Sequence, residues 1–586
     1  MQSGVDRIYL YIFAIISPYN GRKVQVLKSQ MNSRSETIKR IAGNSFDLCV
    51  IGGGATGAGC ALDAQLRKLK TVLVDAGDFA SAASSASTKL VHGGVRYLEQ
   101  AVKKLSLEEY WMVKRALRER IHMLGNAPHL AHATEFLVPV FSRPEAMYYQ
   151  AGMKLYDLIA GKDNLFPSRF LSRVEAIRHM PAIRREGLWG AVSYSDGQFD
   201  DSRYDLALVK SFVEAGGQAL NYARVTGFTK MPDGKLFEAK IRDSFTQKEW
   251  KVHARCFVNA TGPPSDVIRL MARPEAPKRM RPSKGVHILF PLEDFSSRDA
   301  LLVPKTEDGR VIFAVPWQGR LLVGTTDDEA TPETRMVVLR EEAMYLLRQL
   351  NPYLEKPLRM ERIVSGIAGL RPLVATGATP QGGGSKDGGT KELIRDHEVE
   401  IDAKSGLISI LGGKWTTHRL MAEDTVNAVQ RALTGEISQC KTRDHRLAGG
   451  EGYTANHWQS LVKEFALKEE TAHHLTAKFG TNARKVLELI RTDATLSATL
   501  VKGLPPICAE VVYCVREEMA MTIEDILARR IGLQLLDWQK AIEAAPRVGE
   551  LLAREFRWSA EEERKAVFAY TSKIDEFLIA LGLAKG

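Results

Sequence analysis

Residues 46–78, FDLCVIGGGATGAGCALDAQLRKLKTVLVDAGD, constrain the fold more than any other stretch of the chain. An apolar strand, LCVI, runs into Gly52, Gly54 and Gly57, which are spaced G-x-G-x-x-G. An amphipathic helix follows, and a second strand ends in Asp75. In this order the glycines allow a tight turn, a close approach of the backbone to a pyrophosphate, and close packing of the helix on the strand. The sequence therefore predicts a Rossmann-type unit that binds a dinucleotide.

The groups that would hold the dinucleotide follow from this unit. The first N–H groups of the helix lack partners within it and suit a pyrophosphate, while a carboxylate at the end of the second strand accepts a hydrogen bond from a ribose hydroxyl. The residues assigned to this role are Gly52, Gly54, Ala55, Thr56, Gly57 and Asp75. The alternative is a tight glycine turn in some other α/β fold.

Two later strand-to-glycine turns favour FAD over NAD. The stretch RCFVNATGPPSD, residues 255–266, is an apolar strand that ends in Ala260, Thr261 and Gly262. The stretch starting LISILGGKWTT, from residue 407, enters a glycine pair, after which we expect a helix. A helix start aimed at the flavin pyrimidine would stabilise the negative charge of the reduced ring. Three such turns, far apart in the chain, indicate a discontinuous FAD domain.

The stretch SSASTKLVHGGVRYLEQ, residues 84–100, combines hydroxyl groups, a histidine, two glycines and an arginine. His92 is a candidate base because histidine titrates near neutral pH. The two glycines would let the chain pass close to a flavin ring, and Arg96 could reach an anionic substrate. The competing interpretations are a packed histidine and an ion pair of Arg96 with Glu99 or Glu108.

Length and charge limit the remaining possibilities. A chain of 586 residues is expected to form two to four domains. Its net charge of +11 favours anionic ligands, nucleic acid or an anionic membrane surface. Because the sequence has neither a Lys/Arg block nor zinc-finger spacing, we expect no nucleic acid and no metal. We also expect residues 1–30 to be an upstream mis-start or a disordered leader.

Several motifs resemble those of FAD-dependent glycerol-3-phosphate dehydrogenases of the quinone-linked aerobic type, especially the mitochondrial-type branch. They include DLCVIGGGATGAGCALDA, STKLVHGGVRYLE, VNATGP, AGLRPLV and GGKWTTHRLMAEDT, and the resemblance covers residues 45–575. It implies an α/β fold with a glutathione-reductase-type FAD-binding Rossmann domain, an antiparallel-sheet substrate domain and a C-terminal all-α domain. The predicted parts are a leader at 1–44, either disordered or a mis-start, an FAD-binding domain at 45–100, 172–268 and 365–435, a substrate-binding cap at 101–171 and 269–364, and a helical domain at 440–586.

The resemblance also implies the reaction and its site. The expected activity is oxidation of sn-glycerol 3-phosphate to dihydroxyacetone phosphate by hydride transfer to non-covalent FAD, with electrons passed to a membrane quinone. The implied catalytic residues are His92, Arg96, Arg371 and Lys414. The further cofactor-binding residues are Ser84, Ser85, Thr88, Lys89, Leu90, Val225, Ala260, Thr261, Gly262, Gly413, Lys414 and Thr416. The base stays open, because an arginine-lined site can also lower the pKa of the substrate hydroxyl itself.

Further expectations concern the protein's location, its departures from the family pattern and its alternative functions. We expect peripheral association with the cytoplasmic face of the inner membrane or a cytoplasmic protein, and a homodimer is possible. Pro264 replaces an aromatic residue of the family, residues 375–401 include an unusually Gly-rich loop, and no calcium-binding loop is predicted. The alternative functions are an oxidase that uses oxygen and makes hydrogen peroxide, an amine or amino-acid oxidase, and a non-catalytic flavoprotein.

Overall fold

Two β-sheets and a group of C-terminal helices make up the described part of the chain. The structure is a computed structural model, and it describes residues 34–94, 98, 106–375 and 396–583. The strands are β1 Ser45–Ile51, β2 Thr71–Val74, β3 Leu90–Val91, β4 Ala131–Val140, β5 Arg169–Ser172, β6 Gly190–Phe199, β7 Gln218–Leu220, β8 Ala223–Lys230, β9 Leu236–Asp243, β10 Glu249–Asn259, β11 Ser283–Pro291, β12 Ala300–Val303, β13 Ile312–Trp317, β14 Arg320–Gly324, β15 Asp328–Glu329, β16 Ser365–Arg371, β17 His397–Ile401 and β18 Ile408–Gly412.

The first sheet has the order β17-β18-β10-β1-β2-β7, with the hairpin β8–β9 attached to β10. Strands β18, β10, β1, β2 and β7 run parallel, and β17 is antiparallel to β18. Ile51 is in register with both Val74 and Asn259, so β1, β2 and β10 end at the same edge of the sheet. Ligands of open parallel sheets bind outside this carboxyl edge. The predicted Rossmann-type sheet is confirmed.

The second sheet has the order β15-β11-β14-β13-β12-β4-β6-β3, with β16 on β11 and β5 on β6. Its pairs are antiparallel except β12 with β4, which confirms the predicted antiparallel sheet. The predicted domain boundaries put β6 and β16 in the FAD-binding domain, whereas the structure pairs them with β4 and β11 of the second sheet. A strand's own pattern shows that it is a strand, but its partners are chosen by distant residues.

The helices are Arg34–Ala42, Ala55–Leu66, Leu107–Asn126, Arg143–Ala160, Arg173–His179, Asp201–Glu214, Ser265–Ala272, Arg340–Leu350, His418–Leu433, His457–Phe465, Glu469–Phe479, Ala483–Thr492, Cys508–Glu518, Leu533–Leu536, Trp538–Phe556 and Ala560–Leu581. A π-helical turn spans Asp525–Arg530. The helices from His457 onward share one apolar core with part of the second sheet, which confirms the predicted C-terminal helical domain. Within the described ranges, every helix is too short or too polar to cross a bilayer.

Part of the predicted leader is ordered against the first sheet. Residues 34–42 form a helix, and its first residue is fixed by long-range hydrogen bonds. Arg34 Nε donates to Asp243 Oδ2 at 2.7 Å, and Arg34 NH2 donates to the Asn221 carbonyl at 2.6 Å. The prediction for residues 1–30 lies outside the described residues.

Candidate active site

The glycine turn between β1 and the helix Ala55–Leu66 has room only for glycine at its key positions. Gly52 has φ +107°, a conformation that other residues rarely adopt. A Cβ at Gly57 would lie 1.8 Å from the Gly52 carbonyl oxygen, and a Cβ at Gly54 would lie 2.6 Å from Ser84 Oγ. Gly54 precedes the helix without a side-chain cap. The backbone at this helix start therefore fits the pyrophosphate of a dinucleotide.

The carboxylate of Asp75 holds this turn. Asp75 Oδ2 accepts a hydrogen bond from Gly53 N at 2.6 Å, and Oδ1 accepts one from Gly77 N at 2.8 Å. Burial raises the pKa of Asp75 to about 6, although both backbone hydrogen bonds favour the charged form. Asp75 thus has a structural role in addition to the ribose contact predicted from the sequence, which stays a prediction.

The segment after β2 returns beneath the glycine turn. Ser84 Oγ accepts from Ala55 N at 2.9 Å, which places one predicted residue against another. Lys89 is buried, and its Nζ donates to Asp201 Oδ1 and, at 2.8 Å, to the Ser85 carbonyl. The ammonium of Lys89 therefore holds the segment to Asp201, and its predicted contact with the cofactor stays a prediction.

The second predicted strand-to-glycine turn packs directly on the first. Ala260 N donates to the Ile51 carbonyl at 2.8 Å, and a Cβ at Gly52 would lie 2.6 Å from the Ala260 carbonyl oxygen. Thr261 Oγ1 donates to Asn259 Oδ1 at 2.7 Å. Strand β8 also starts at this edge, because Ala223 N donates to the Asp75 carbonyl. Val225 follows two residues later on the same strand. Distant segments thus surround one edge of the first sheet.

The third turn brings the flavin and substrate motifs together. Gly412 and Gly413 have φ values of +73° and +85°, and the helix His418–Leu433 begins shortly after them. Thr416 Oγ1 accepts a hydrogen bond from His92 N at 3.3 Å, across 324 residues of sequence. Stretches that the sequence analysis treated separately therefore meet here.

A chamber of about 550 Å³ lies against the second sheet, and residues of the segment from Thr88 to Gly94 and of the helix Arg143–Ala160 also line it. Its polar lining includes Thr88, His92, Thr325, Asp327 and Arg371, and its apolar lining includes Tyr148, Met153, Leu155, Leu302, Val311 and Phe313. Among the predicted catalytic residues, His92 and Arg371 line this chamber together. Arg96 lies outside the described residues. Lys414 does not belong to the chamber lining; its Nζ lies 3.5 Å from Met112 Sδ.

The guanidinium of Arg371 is fixed at the end of β16. Arg371 NH1 donates to Asp327 Oδ1 at 2.9 Å, while NH2 donates to Thr325 Oγ1 at 2.8 Å and to the Thr326 carbonyl at 2.7 Å. A Cβ at Gly285 would lie 2.3 Å from NH2, so a glycine on the neighbouring strand makes room for the group. A planar cation held in this way is preorganised to bind a carboxylate or phosphate.

Two imidazoles lie at or beside the chamber: His92, which is half-buried and lines it, and His287, which is buried and was not found from the sequence. Burial, assisted by Lys414 and Arg120, lowers the pKa of His92 to about 4. His287 Nε2 lies 3.0 Å from Thr88 Oγ1, and burial together with Arg371 and Lys89 lowers the pKa of His287 to about 3. Both rings are therefore neutral at physiological pH. His287 sits in an ordinary apolar strand, HILF, and its local sequence gives no sign of a role.

A buried network that sequence reasoning also missed supports the turn at Gly93. Gly93 N donates to Tyr156 Oη at 2.8 Å, and Tyr156 donates to Asp196, with Oη–O distances of 3.0 and 3.1 Å. Arg120 NH1 donates to Asp196 Oδ1 at 2.7 Å. Burial raises the pKa of Asp196 to about 6, and Arg120 opposes this rise. The network orients the segment that carries His92.

Comparisons with known proteins agree with this geometry. The family described as "FAD dependent oxidoreductase" matches residues 47–419, and the "C-terminal domain of alpha-glycerophosphate oxidase" matches residues 440–563. The mitochondrial glycerol-3-phosphate dehydrogenase of Bos taurus is 39% identical to this chain, and the alignment covers 89% of this chain and 72% of the bovine protein. That of Homo sapiens is 40% identical, and the alignment covers 88% of this chain and 71% of the human protein. A solved glycerol-3-phosphate dehydrogenase from Bacillus halodurans, complexed with FAD, has a TM-score of 0.76 at 29% identity, covering 95% of this chain and 99% of that chain.

Proposed function

Since the chain belongs to the FAD-dependent glycerol-3-phosphate dehydrogenase family and oxidises glycerol 3-phosphate with FAD, we propose that the chamber at Arg371 binds this substrate and that the electrons pass to a membrane quinone. The product is dihydroxyacetone phosphate, because loss of a hydride and a proton converts the secondary alcohol into a ketone. The observation that carries the proposal is one chamber in which a fixed guanidinium, a neutral imidazole and an apolar wall meet.

The chain's own residues have three tasks in this reaction. The Arg371 guanidinium binds the phosphate dianion, whose burial without cations would be costly. His92 accepts the hydroxyl proton at its neutral ring, and Lys414 offers a charge that stabilises the developing alkoxide. Bound FAD supplies the hydride acceptor. The apolar lining excludes water from the reacting carbon.

The test of this function is an anaerobic visible spectrum of the purified protein before and after addition of glycerol 3-phosphate. We expect the oxidised flavin bands to bleach promptly and to return faster with a quinone analogue than with oxygen. Faster return with oxygen would favour the oxidase alternative instead. Flavin that stays oxidised would remove the substrate assignment while leaving the FAD site intact.

The pH dependence of kcat tests the assignment of the base. Because the pKa of His92 is lowered to about 4, the ring is neutral above that value and is protonated only as the pH falls through it. We therefore expect kcat at saturating substrate to show no ionisation near the usual histidine pKa of about 6.5 and to fall only at acid pH. His92→Gln should lower kcat by about 100-fold or more at all pH values.

His287→Gln is the matched comparison, since His287 is the other neutral imidazole of the site. A large loss in His287→Gln with near-normal kcat in His92→Gln would transfer the role of base to His287. If kcat of the wild-type protein fell on the acid side with a midpoint near pH 6.5, this would contradict the lowered pKa of both rings.

An exposed apolar face supports membrane association. The helix Arg143–Ala160 and the residues after it carry large apolar side chains in contact with solvent. We define the apolar face by Met147, Tyr148, Leu158, Phe166, Phe170 and Val174, which are 42% to 76% exposed. The same helix lines the chamber through Tyr148, Met153 and Leu155, so one element links the outer surface to the site. Large exposed apolar side chains close together in sequence suit an interaction surface, and we propose the bilayer contact and the quinone's entry here.

Substitution of this face should separate membrane binding from chemistry. We expect the double variant Met147→Glu/Leu158→Glu to lose sedimentation with anionic vesicles and reduction of a long-chain quinone embedded in them. Its reduction of a water-soluble quinone analogue should stay within about twofold of wild type, because the chamber lining is unchanged. The control is Phe568→Glu, a residue that is 74% exposed on the last helix. Equal vesicle binding by all three proteins would place the membrane contact elsewhere.

A further inference from the structure

The segment that follows β2 is held in place by residues that do not belong to the first sheet. Asp78 lies in this segment, is 1% exposed, and accepts hydrogen bonds from two arginines of the C-terminal helical domain. Arg529 Nε donates to Asp78 Oδ2 at 2.6 Å, and Arg530 NH2 donates to Oδ1 at 2.9 Å. Arg530 NH1 also bonds Oδ2. We call these three residues the Asp78 clamp.

The clamp is electrically balanced by its surroundings. Arg529 and Arg530 end the π-helical turn, and Asp525 at its start accepts from Arg529 NH2 at 2.5 Å. Asp78 and Asp525 thus pair with Arg529 and Arg530 where water does not reach. A third carboxylate, Glu524, lies 3.5 Å from Arg529 NH1 and is paired with Lys573. Burial by itself would raise the pKa of Asp78, but Arg530 and Arg529 hold it below its ordinary value. π-helical turns are rare and often occur at functional sites.

The residues directly after Asp78 brace the glycine turn. Ala80 N donates to the Gly53 carbonyl at 3.1 Å. The ring of Phe79 covers Gly53 so closely that a Cβ there would lie 2.4 Å from Phe79 Cδ1. Gly53 N in turn donates to Asp75 Oδ2 at 2.6 Å. The glycine turn is therefore held at both its N–H and its carbonyl by the segment that the clamp fixes.

We propose that Arg529 and Arg530 are positioning residues for FAD, which act through Asp78 on the glycine turn. Docking of the C-terminal helical domain then controls how long the protein keeps its cofactor. This inference rests on the proposed placement of FAD at that turn. The clamp gives the helical domain a task in cofactor retention beyond packing.

A neighbouring ion pair offers a matched control. Arg203 NH1 and NH2 donate to the Glu518 carboxylate at 2.7 and 2.8 Å, and both residues are buried. This pair also joins a helix beside the first sheet, Asp201–Glu214, to the C-terminal helical domain. Arg203 Nε donates to the Lys478 carbonyl at 3.0 Å. The Glu518 main-chain carbonyl accepts from Arg530 NH2 at 2.8 Å, so the control changes only the side-chain pair and leaves this backbone contact with the clamp in place.

The test compares two charge-balanced double variants of the holoenzyme. Asp78→Asn/Arg530→Gln removes one charge of each sign and leaves Arg529 opposite Asp525. We expect FAD release, followed by flavin fluorescence after dilution, to be about tenfold faster than in wild type. Arg203→Gln/Glu518→Gln should release FAD within about twofold of the wild-type rate.

Thermal unfolding of both double variants separates positioning from general stability. Equal release rates in the two variants at a similar loss of thermal stability would overturn the proposal. If the clamp variant does not fold, Arg530→Lys replaces it, because lysine keeps the charge but loses the paired contact with Asp78. We then expect release about threefold faster, and an unchanged rate would equally overturn the proposal.

The release rate is measured without substrate, so its outcome does not depend on the reaction. If glycerol 3-phosphate fails to bleach the wild-type flavin, the substrate assignment falls while the release rates still decide the role of the clamp. In the clamp variant, saturating FAD should restore the wild-type KM for glycerol 3-phosphate. A changed KM at saturating FAD would count against a role confined to cofactor retention.

Discussion

Gly57→Ala is expected to yield a protein that folds but is purified almost without FAD. The new methyl group would lie 1.8 Å from the Gly52 carbonyl oxygen, so the helix start and the glycine turn cannot both keep their positions. The cost of such overpacking is about 3 kcal/mol, which lowers FAD affinity by roughly a hundredfold if the turn gives way. The measurement is the ratio of flavin to protein absorbance, followed by titration with FAD.

The same helix provides the control for this substitution. A Cβ at Gly59 would lie 3.3 Å from Ala422 Cβ and 3.5 Å from His418 Cδ2, a contact that small shifts relieve. Gly59→Ala should therefore keep its FAD, and alanine's higher helix propensity offsets part of the crowding. Full FAD content in Gly57→Ala would show that the pyrophosphate does not lie at this turn.

Arg371→Lys is expected to lower kcat/KM for glycerol 3-phosphate by about 10²–10³ while leaving FAD content unchanged. A single ammonium cannot reproduce the contacts that the guanidinium makes with Asp327, Thr325 and the Thr326 carbonyl. The charge would therefore lose its fixed position relative to the phosphate. Steady-state kinetics with a soluble quinone analogue give the value directly.

The control for charge and bulk is Arg335→Lys. Arg335 is exposed and forms a surface ion pair with Glu576, so its replacement should change kcat/KM by less than about twofold. Near-normal kcat/KM in Arg371→Lys would move phosphate binding to other cations of the site. A loss of FAD in that variant would instead make Arg371 a residue of the cofactor site.

The parts of the fold that were predicted correctly are those specified by residues close together in the sequence. The glycine spacing at Gly52–Gly57 carries its own steric requirement, and the cap at Ser106, which accepts from Glu109 N at 3.3 Å, is readable from its spacing. The assignment of β6 and β16 to a sheet was not readable, because their own residues, GAVSYSDGQF and SGIAGLR, do not identify the sheet that each joins. The helix from Arg34 was missed because its anchor, Asp243, lies about two hundred residues away.

The residues of the candidate site divide in the same way, into those marked by a local motif and those that depend on distant partners. His92 and Arg371 belong to distinctive motifs and were predicted, and they line one chamber. His287 and Asp196 were not predicted, since each becomes notable only through partners distant in sequence, such as Thr88, 199 residues from His287. The one usable hint is Gly324, where a Cβ would lie 2.1 Å from His287 Cδ2. A glycine inside a strand often marks such a close approach.

The strand order β18-β10-β1 has a consequence for how the protein is made. The centre of the first sheet combines residues 45–51, 249–259 and 408–412, so it stays incomplete until the last of these leaves the ribosome. At ordinary elongation rates, the edge of β1 stays open for roughly 10 to 40 seconds until β10 is made, and roughly 20 to 70 seconds pass between the synthesis of β1 and that of β18. Sheets built from such distant segments form slowly and are prone to aggregate. Chaperone supply during synthesis should therefore limit the yield of this protein more strongly than its final stability does.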